Sequence, residues 1–524
     1  MEKKQYRNIL LFIVFSGLTC TEWLLFLTAE NSQQQKFALS STLTILAVTV
    51  FLIFIFKKRR LPSPILKFLL IPIISAFFLI SLYLWNSIFI SSNEVHEYSG
   101  NIFRGAFNGF ISPLYGKVYP GRNFDFFQEI ILILFVGLSF YYLLNKERSR
   151  NKVYIVSFFT FIVIILFSAF HTSIYETFLS NNCHYLSFKS DNSKFSSFSD
   201  ILRNYSSRMS GMSIHNNHYP PGNVMLSYLD EKVLPFSLKS ITFLSLLTSL
   251  VPFIFILDFY RTKYTNLIFA IFLYITSGSI LFFHGIALSP IVTPISLFLV
   301  YFLIKGLKNN DYKSPILFGV LLALYSFISF TSLTFVLFCI ILVIGYLFKE
   351  QGKIKNVLQF LILSLTVFVI SFSVLYLASG FNILECFFTS LANEKTQMDY
   401  ASRTIDVTRY FIVSTGNLIS FLINLGPIVL SLFFISIFKS DNIKFKNMSY
   451  ALLLVVLIFA FSNHFYLEVE RIWIFITPFF ILFSSNIPAL NNKDHKILLA
   501  TLIVANIFIS LWLMNVIEFC GFFT

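Results

Sequence analysis

His215 and His218 stand three residues apart in HNNHYPPGN, His215 to Asn223, and are the first side chains in this sequence whose type and spacing invite chemistry. Imidazoles titrate near neutral pH, so such a pair can carry a proton, orient a phosphate or acceptor, or ligate a metal. Tyr219-Pro220-Pro221 must run extended, because each proline fixes its own φ and biases its predecessor away from helix. Gly222 then permits close approach by a neighbour or a ligand. Asn223 is a good N-cap for the amphipathic stretch NVMLSYLDEKVL, expected to be an interfacial helix. A loop tied down by prolines ahead of a helix explains much of this pattern; the two imidazoles beside a rigid turn favour a site.

A second group lies in LEVERIWIFITP, Leu467 to Pro478, where Glu468, Glu470 and Arg471 sit at the mouth of an apolar run. Charges this close to hydrocarbon are costly unless paired or used, and arginine grips phosphate best. An Arg–Glu pair anchoring a helix end is the structural alternative, and Trp473 fits the interfacial aromatic belt. A third stretch, NEKTQMDYASRTIDVTR from Asn393 to Arg409, reads as a solvated loop of alternating charge or as a mobile lid. Among the carboxylates, Glu176 and Asp200 are the better general-base candidates, whereas Asp191 lies in the Ser/Asn/Lys-rich tract SDNSKFSS, expected to be flexible. Glu22 sits inside the first apolar run and is by default a functional or helix-pairing suspect.

What must position these residues is a membrane domain. The 524-residue chain is 56% hydrophobic and only 12% charged, with a mean hydropathy of +0.76, outside the range of soluble domains. Apolar runs long enough to cross a bilayer recur about fifteen times, near 8–28, 37–56, 65–89, 127–145, 153–172, 238–258, 265–283, 290–304, 315–330, 332–348, 356–378, 410–437, 449–463, 472–488 and 497–516. The net charge of +14 is topological and implies no nucleic acid: KKRR, KERSRNK, RTK, KGLKNNDYK, KEQGKIK, KSDNIKFK and NNKDHK all fall on one side if the N-terminus is cytosolic. The long polar segments 90–126, 173–237 and 379–409 then face away from the cytosol. MEKKQYRN leads into an apolar run without a small-residue cleavage site and reads as a retained first span. Five cysteines without a CxxC provide neither a zinc knuckle nor a redox motif, although Cys183 and Cys386 both fall outside, where a disulfide persists.

FSDILRNYSSRMSGMSIHNNHYPPGN and LEVERIWIFITP together resemble a bacterial group of polytopic proteins in the GT-C glycosyltransferase superfamily. Tyr205, His215, Pro220, Pro221 and Gly222 match its first block, with Tyr219 where the group commonly has histidine and His218 next door. Glu468, Glu470, Arg471 and Trp473 match the second. The resemblance implies an all-α, GT-C-like bundle that transfers a sugar from a polyprenyl-phosphate donor to a glycan, lipid or protein acceptor of the cell envelope, with inversion. It also implies a bacterial inner-membrane location and a non-cytosolic site. The base in that superfamily lies soon after the first span of the module, which here falls on Glu176; Arg471 would hold the phosphate, and Tyr205, His215, His218, Tyr219, Gly222, Glu468 and Glu470 would line the substrate. The implied organisation is a four-span segment 1–150, a catalytic module 151–490 and a last span 491–524. No cofactor is demanded; the histidines permit a divalent metal. An O-antigen polymerase or ligase is the alternative enzyme, and a lipid-linked glycan transporter or flippase the alternative of another class.

Overall fold

The structure is a computed structural model that describes residues 2–27, 32–58, 70–89, 117–118, 126–145, 147–169, 188–213, 216–232, 238–260, 262–282, 288–349, 354–400, 407–439, 443–462, 472–485 and 492–518. In chain order the helices are α1 (Glu2–Leu27), α2 (Ser32–Lys58), α3 (Leu70–Phe89), α4 (Phe126–Asn145), α5 (Arg150–Ala169), α6 (Phe198–Arg208), α7 (Gly222–Lys232), α8 (Leu238–Phe259), α9 (Tyr264–Ile275) and α10 (Gly278–Leu281). There follow α11 (Val292–Asn309), α12 (Lys313–Ile328), α13 (Thr331–Lys349), α14 (Ile354–Ser379), α15 (Ile383–Tyr400), α16 (Val407–Lys439), α17 (Ile443–Phe461), α18 (Thr477–Ser484) and α19 (Asn492–Val516). Hydrocarbon offers the backbone no hydrogen bonds, so apolar runs of this length satisfy their own as helix. Among the described residues seven helices are long and apolar enough to cross a membrane. Shorter apolar helices occupy the remaining expected positions, and the chain is a helical, multi-pass membrane protein.

Three expected spans are interrupted. The stretch 265–283 divides into α9 and α10 at Thr276-Ser277, where the carbonyl of Thr276 accepts from Ser510 Oγ at 2.8 Å and its hydroxyl oxygen accepts from Asn506 Nδ2 at 3.0 Å. Side chains of α19 thus bond polar groups exposed by the break. The stretch 472–488 begins with a 3-10 turn, Trp473–Phe475, ahead of α18; Trp473 is fully buried against Phe421 and Phe459 and belongs to the core, not to an interfacial belt. In α16, Gly426 adopts φ +77° before Pro427, a left-handed conformation open to glycine. By contrast, 315–348 is two helices, α12 and α13, as its sequence indicates, although the break falls at Ser329-Phe330 and not at the expected Phe330-Thr331-Ser332.

From Leu267 onward α9 is buried, as is all of α18, and these form the centre of the bundle. Around them α8, α11, α12 and α14 pack in sequence on one flank, while α16 packs on α17, α18 and α3. The chain closes on itself across the boundaries at 150 and 490: α1 lies against α19, α19 against α4, and Ser431 Oγ of α16 donates to the Ile71 carbonyl. Lys117–Val118 (β1) pairs antiparallel with Ile517–Glu518 (β2). This pairing puts the segment after α3 and the end of α19 at the same end of the bundle. It requires an even number of crossings between them.

The two ends differ in charge. At one, Arg150 pairs with Asp258, Tyr154 Oη donates to Asp258, and Tyr264 Oη accepts from the Arg148 amide at 2.8 Å, drawing together two basic loops. Residues 188–232, α15 and the junctions at 288, 329 and 472 share the other end. By the positive-inside rule the end with the basic loops is the one expected in the cytosol. A cysteine at the exposed Ser193 is therefore expected to react with a membrane-impermeant thiol reagent in intact cells, and one at the exposed Asn309 is not. The reverse pattern would put the 188–232 end in the cytosol.

Candidate functional site

The tract expected to be flexible is tied down. Asp191 is 2% exposed and accepts hydrogen bonds from the Ser213 amide at 2.9 Å, Ser213 Oγ at 2.7 Å and Asn216 Nδ2 at 2.7 Å, with Lys194 Nζ at 2.7 Å on its other oxygen. Ser227 Oγ of α7 donates to Asn192 Oδ1 at 2.6 Å, and Asn192 Nδ2 donates to Glu231 at 2.8 Å. Burial raises the Asp191 carboxyl, but the bonds from Lys194, Asn216 and Ser213 outweigh it and hold the group below the usual carboxylate range. A depressed folded value contributes stability that is present above the unfolded pKa, about 3.9, and lost as pH falls through the folded one. Amides of 191–216 are therefore expected to lose hydrogen-exchange protection in that acid window. Asp191→Asn should lose roughly 2 kcal/mol of local stability at neutral pH, the typical worth of hydrogen bonds to a charged group.

Asp200, one of the two expected bases, is committed elsewhere. It lies in the first turn of α6, whose N-cap Ser197 accepts from the Asp200 amide at 3.1 Å. Its carboxylate accepts from the Ser196 amide at 2.8 Å and from Asn204 Nδ2 at 2.6 Å, with Arg208 3.4 Å away. The Ser196 amide bond, then Asn204, pull its pKa to about 2, which makes it a poor proton acceptor, and it does not line the cavity described below. Tyr205, expected to touch substrate, is also a positioning residue. Its ring stacks on Phe195, its hydroxyl lies 2.9 Å from the carbonyls of both Asn216 and Tyr219, and burial holds its pKa well above the usual phenol value.

Tyr205 thereby staples the histidine segment. Asn216–His218 forms a 3-10 turn, Pro220 and Pro221 are buried, and α7 starts at Gly222. A Cβ on Gly222 would lie 2.5 Å from the Phe327 carbonyl oxygen and 2.9 Å from Ile328 Cα, so α7 starts in direct backbone contact with the end of α12. The helix expected at the membrane interface is mostly buried: Val224, Ser227, Tyr228 and Asp230 pack inward, and Lys189 pairs with Asp230 at 2.5 Å. The stretch 379–409, expected as a loop, instead carries α15, which clamps the same turn. Ser390 Oγ donates to the His218 carbonyl at 2.9 Å, Asn393 Nδ2 to the Asn217 carbonyl at 2.8 Å, and Asn393 Oδ1 accepts from Ser210 at 2.9 Å. Cys386 is a buried free thiol 3.8 Å from Met209 Sδ and not half of a disulfide, and burial pushes its pKa up to about 12.

Where these elements meet there is a small open pocket of about 20 Å³, room for one or two water molecules. Phe188, Tyr219 and Asn223 form one wall, and Ser289 with Val292 a second. Ser329 and Thr331 form a third, and Ile472 closes it. Tyr219 and Asn223 come from the first motif, and Ile472 directly follows Arg471 of the second. The lining includes the first turns of α7, of α11 through its 3-10 start at Ser289, of α13, and of the run that leads to α18. Helix starts carry partial positive charge, so their convergence favours an anion. Asn223 is 3% exposed and its Oδ1 has no hydrogen-bond partner among the described residues. A carboxamide can present either its oxygen or its nitrogen to a ligand.

Of the expected site residues, Tyr219 lines this cavity and Gly222 supports its wall. His218 is held at its backbone beside the wall, and Tyr205 holds the turn from behind. Glu176, His215, Glu468, Glu470 and Arg471 lie outside the described residues, as does Cys183. Ser289, Ser329 and Thr331 were not expected, and Asn223 was expected only as a cap; Ser-Pro at 289 and Ser-Phe-Thr-Ser at 329 are helix-start signals that mark these positions. Among the described residues no three His, Cys, Asp or Glu side chains gather as metal ligands. Neither a family model, nor a curated protein, nor a solved structure matches the chain.

Proposed function

We propose that the protein is a membrane glycosyltransferase that moves a sugar from a polyprenyl-phosphate donor to a cell-envelope acceptor on the non-cytosolic face of a bacterial inner membrane. One observation carries this reading: a single cavity joins Tyr219 and Asn223 of the histidine motif to Ile472, the residue after Arg471, among several helix starts. Such a seat suits a phosphate, and a multi-pass bundle suits its lipid tail. Glu176 takes the proton of an acceptor hydroxyl as its oxygen attacks the anomeric carbon. The bond from that carbon to the phosphate oxygen breaks with inversion, and polyprenyl phosphate leaves. The charge developing on the phosphate is met by Arg471 and the helix starts, and His215 and His218 orient phosphate or acceptor.

A transporter or flippase is the second reading, favoured by the buried break between α9 and α10, since transporters build sites on discontinuous helices. That break is filled by Asn506 and Ser510, which favours a structural joint over a ligand site. Purified protein given a panel of polyprenyl-phosphate sugars and envelope acceptors separates the two. Release of free polyprenyl phosphate with glycosylated acceptor is expected; movement of intact donor across a vesicle without release would overturn the transferase reading.

A further inference from the structure

On α15 three large apolar side chains point away from the protein: Leu384 is 64% exposed, Phe388 65% and Leu391 36%. Their i, i+4, i+7 spacing places them on one face. The opposite face holds Cys386, Ser390 and Asn393, which dock on Met209, the His218 carbonyl and the Asn217 carbonyl. Water is a poor neighbour for such a stripe, and what precedes it in the chain indicates the occupant. Of the 26 residues of α14, an apolar helix long enough to span a bilayer, only Val357, Phe360, Ser364, Phe372 and Ser379 are buried; Leu365, Val369, Tyr376 and Leu377 face outward up to its end at Ser379. Gly380, at φ +77°, turns the chain straight from that lipid-facing helix into α15. The exposed apolar surface of α14 therefore continues onto the outward face of α15 at the end of the span.

We propose that α15 is a membrane-surface anchor whose Leu384, Phe388 and Leu391 insert into the lipid leaflet, and whose other face holds the Asn216–His218 turn at headgroup depth. Amphipathic helices bind in this way, with the apolar face at the boundary between headgroups and acyl chains. The anchor does not depend on which chemistry the cavity performs. It brings any lipid-borne headgroup to the height of the turn.

Nitroxide labels at Leu384→Cys, Phe388→Cys and Leu391→Cys, in full-length protein with Cys183 and Cys520 replaced by serine and reconstituted in phosphatidylcholine vesicles, test the insertion. At all three positions collisions with oxygen are expected to exceed those with a water-soluble nickel chelate, with the opposite ratio at Ser193→Cys. Nickel-dominated collisions would show a water-facing helix, and exclusion of both reagents would show a protein partner or a second copy; either overturns the proposal. Phe388→Glu, which leaves the docked face intact, is expected to raise hydrogen exchange of 216–218 about tenfold while 222–232 stays unchanged. No change at 216–218 would overturn the coupling to the turn.

Discussion

Arg471→Lys is expected to leave the melting temperature unchanged and to lower release of polyprenyl phosphate about a hundredfold. Lysine keeps the charge but lacks the planar fork that binds two phosphate oxygens at once. Loss of one preorganised contact to developing charge typically costs roughly 3 kcal/mol, about two decades in rate. If Arg471 instead anchors a helix end through Glu468 or Glu470, lysine substitutes for it, and Arg471→Ala lowers melting temperature and turnover together. Melting temperature and turnover measured on the same lysine variant decide between the two. Near-normal turnover at normal stability would remove Arg471 from the phosphate and with it the strongest single-residue claim of the transferase reading.

Gly222→Ala is expected to damage the site through packing alone. Its methyl group would meet backbone atoms of α12, the Phe327 oxygen at 2.5 Å and Ile328 Cα at 2.9 Å, which have no rotamer to adopt. The start of α7 must then move off α12. The cavity lies across that contact, with Asn223 on one wall and Ser329 on another. Overpacking of this kind costs about 1–3 kcal/mol, so the melting temperature should drop and turnover fall by one decade or more. Gly211→Ala is the control: nothing lies within 4 Å of an added Cβ there, and the variant should behave as the parent. A Gly222→Ala protein with parental stability and turnover would show that α7 does not start in backbone contact with α12.

Membrane class and the position of almost every long helix are properties of the sequence by itself, because apolar content and run length are local and hydrocarbon leaves the backbone only the helix. The parting of α12 from α13 was legible within one or two residues: the chain reads as breaking at Phe330-Thr331-Ser332 and breaks at Ser329-Phe330. The site was legible only as motifs. Two aspartates nine residues apart have fates opposite to those their settings along the chain suggest: Asp191 is buried by partners 22 and 25 residues away, while Asp200 turns back on its own helix start. Ser390 reaches the His218 carbonyl across 172 residues, so that the segment 379–409, read as a loop, carries a docked helix, and the helix read as interfacial is mostly buried. Tyr205 spends its hydroxyl on two carbonyls. No periodicity encodes such bonds. Composition decides which segments leave water, but which polar atoms then meet is settled when distant segments are brought into one place, and the cavity between four elements exists only after that.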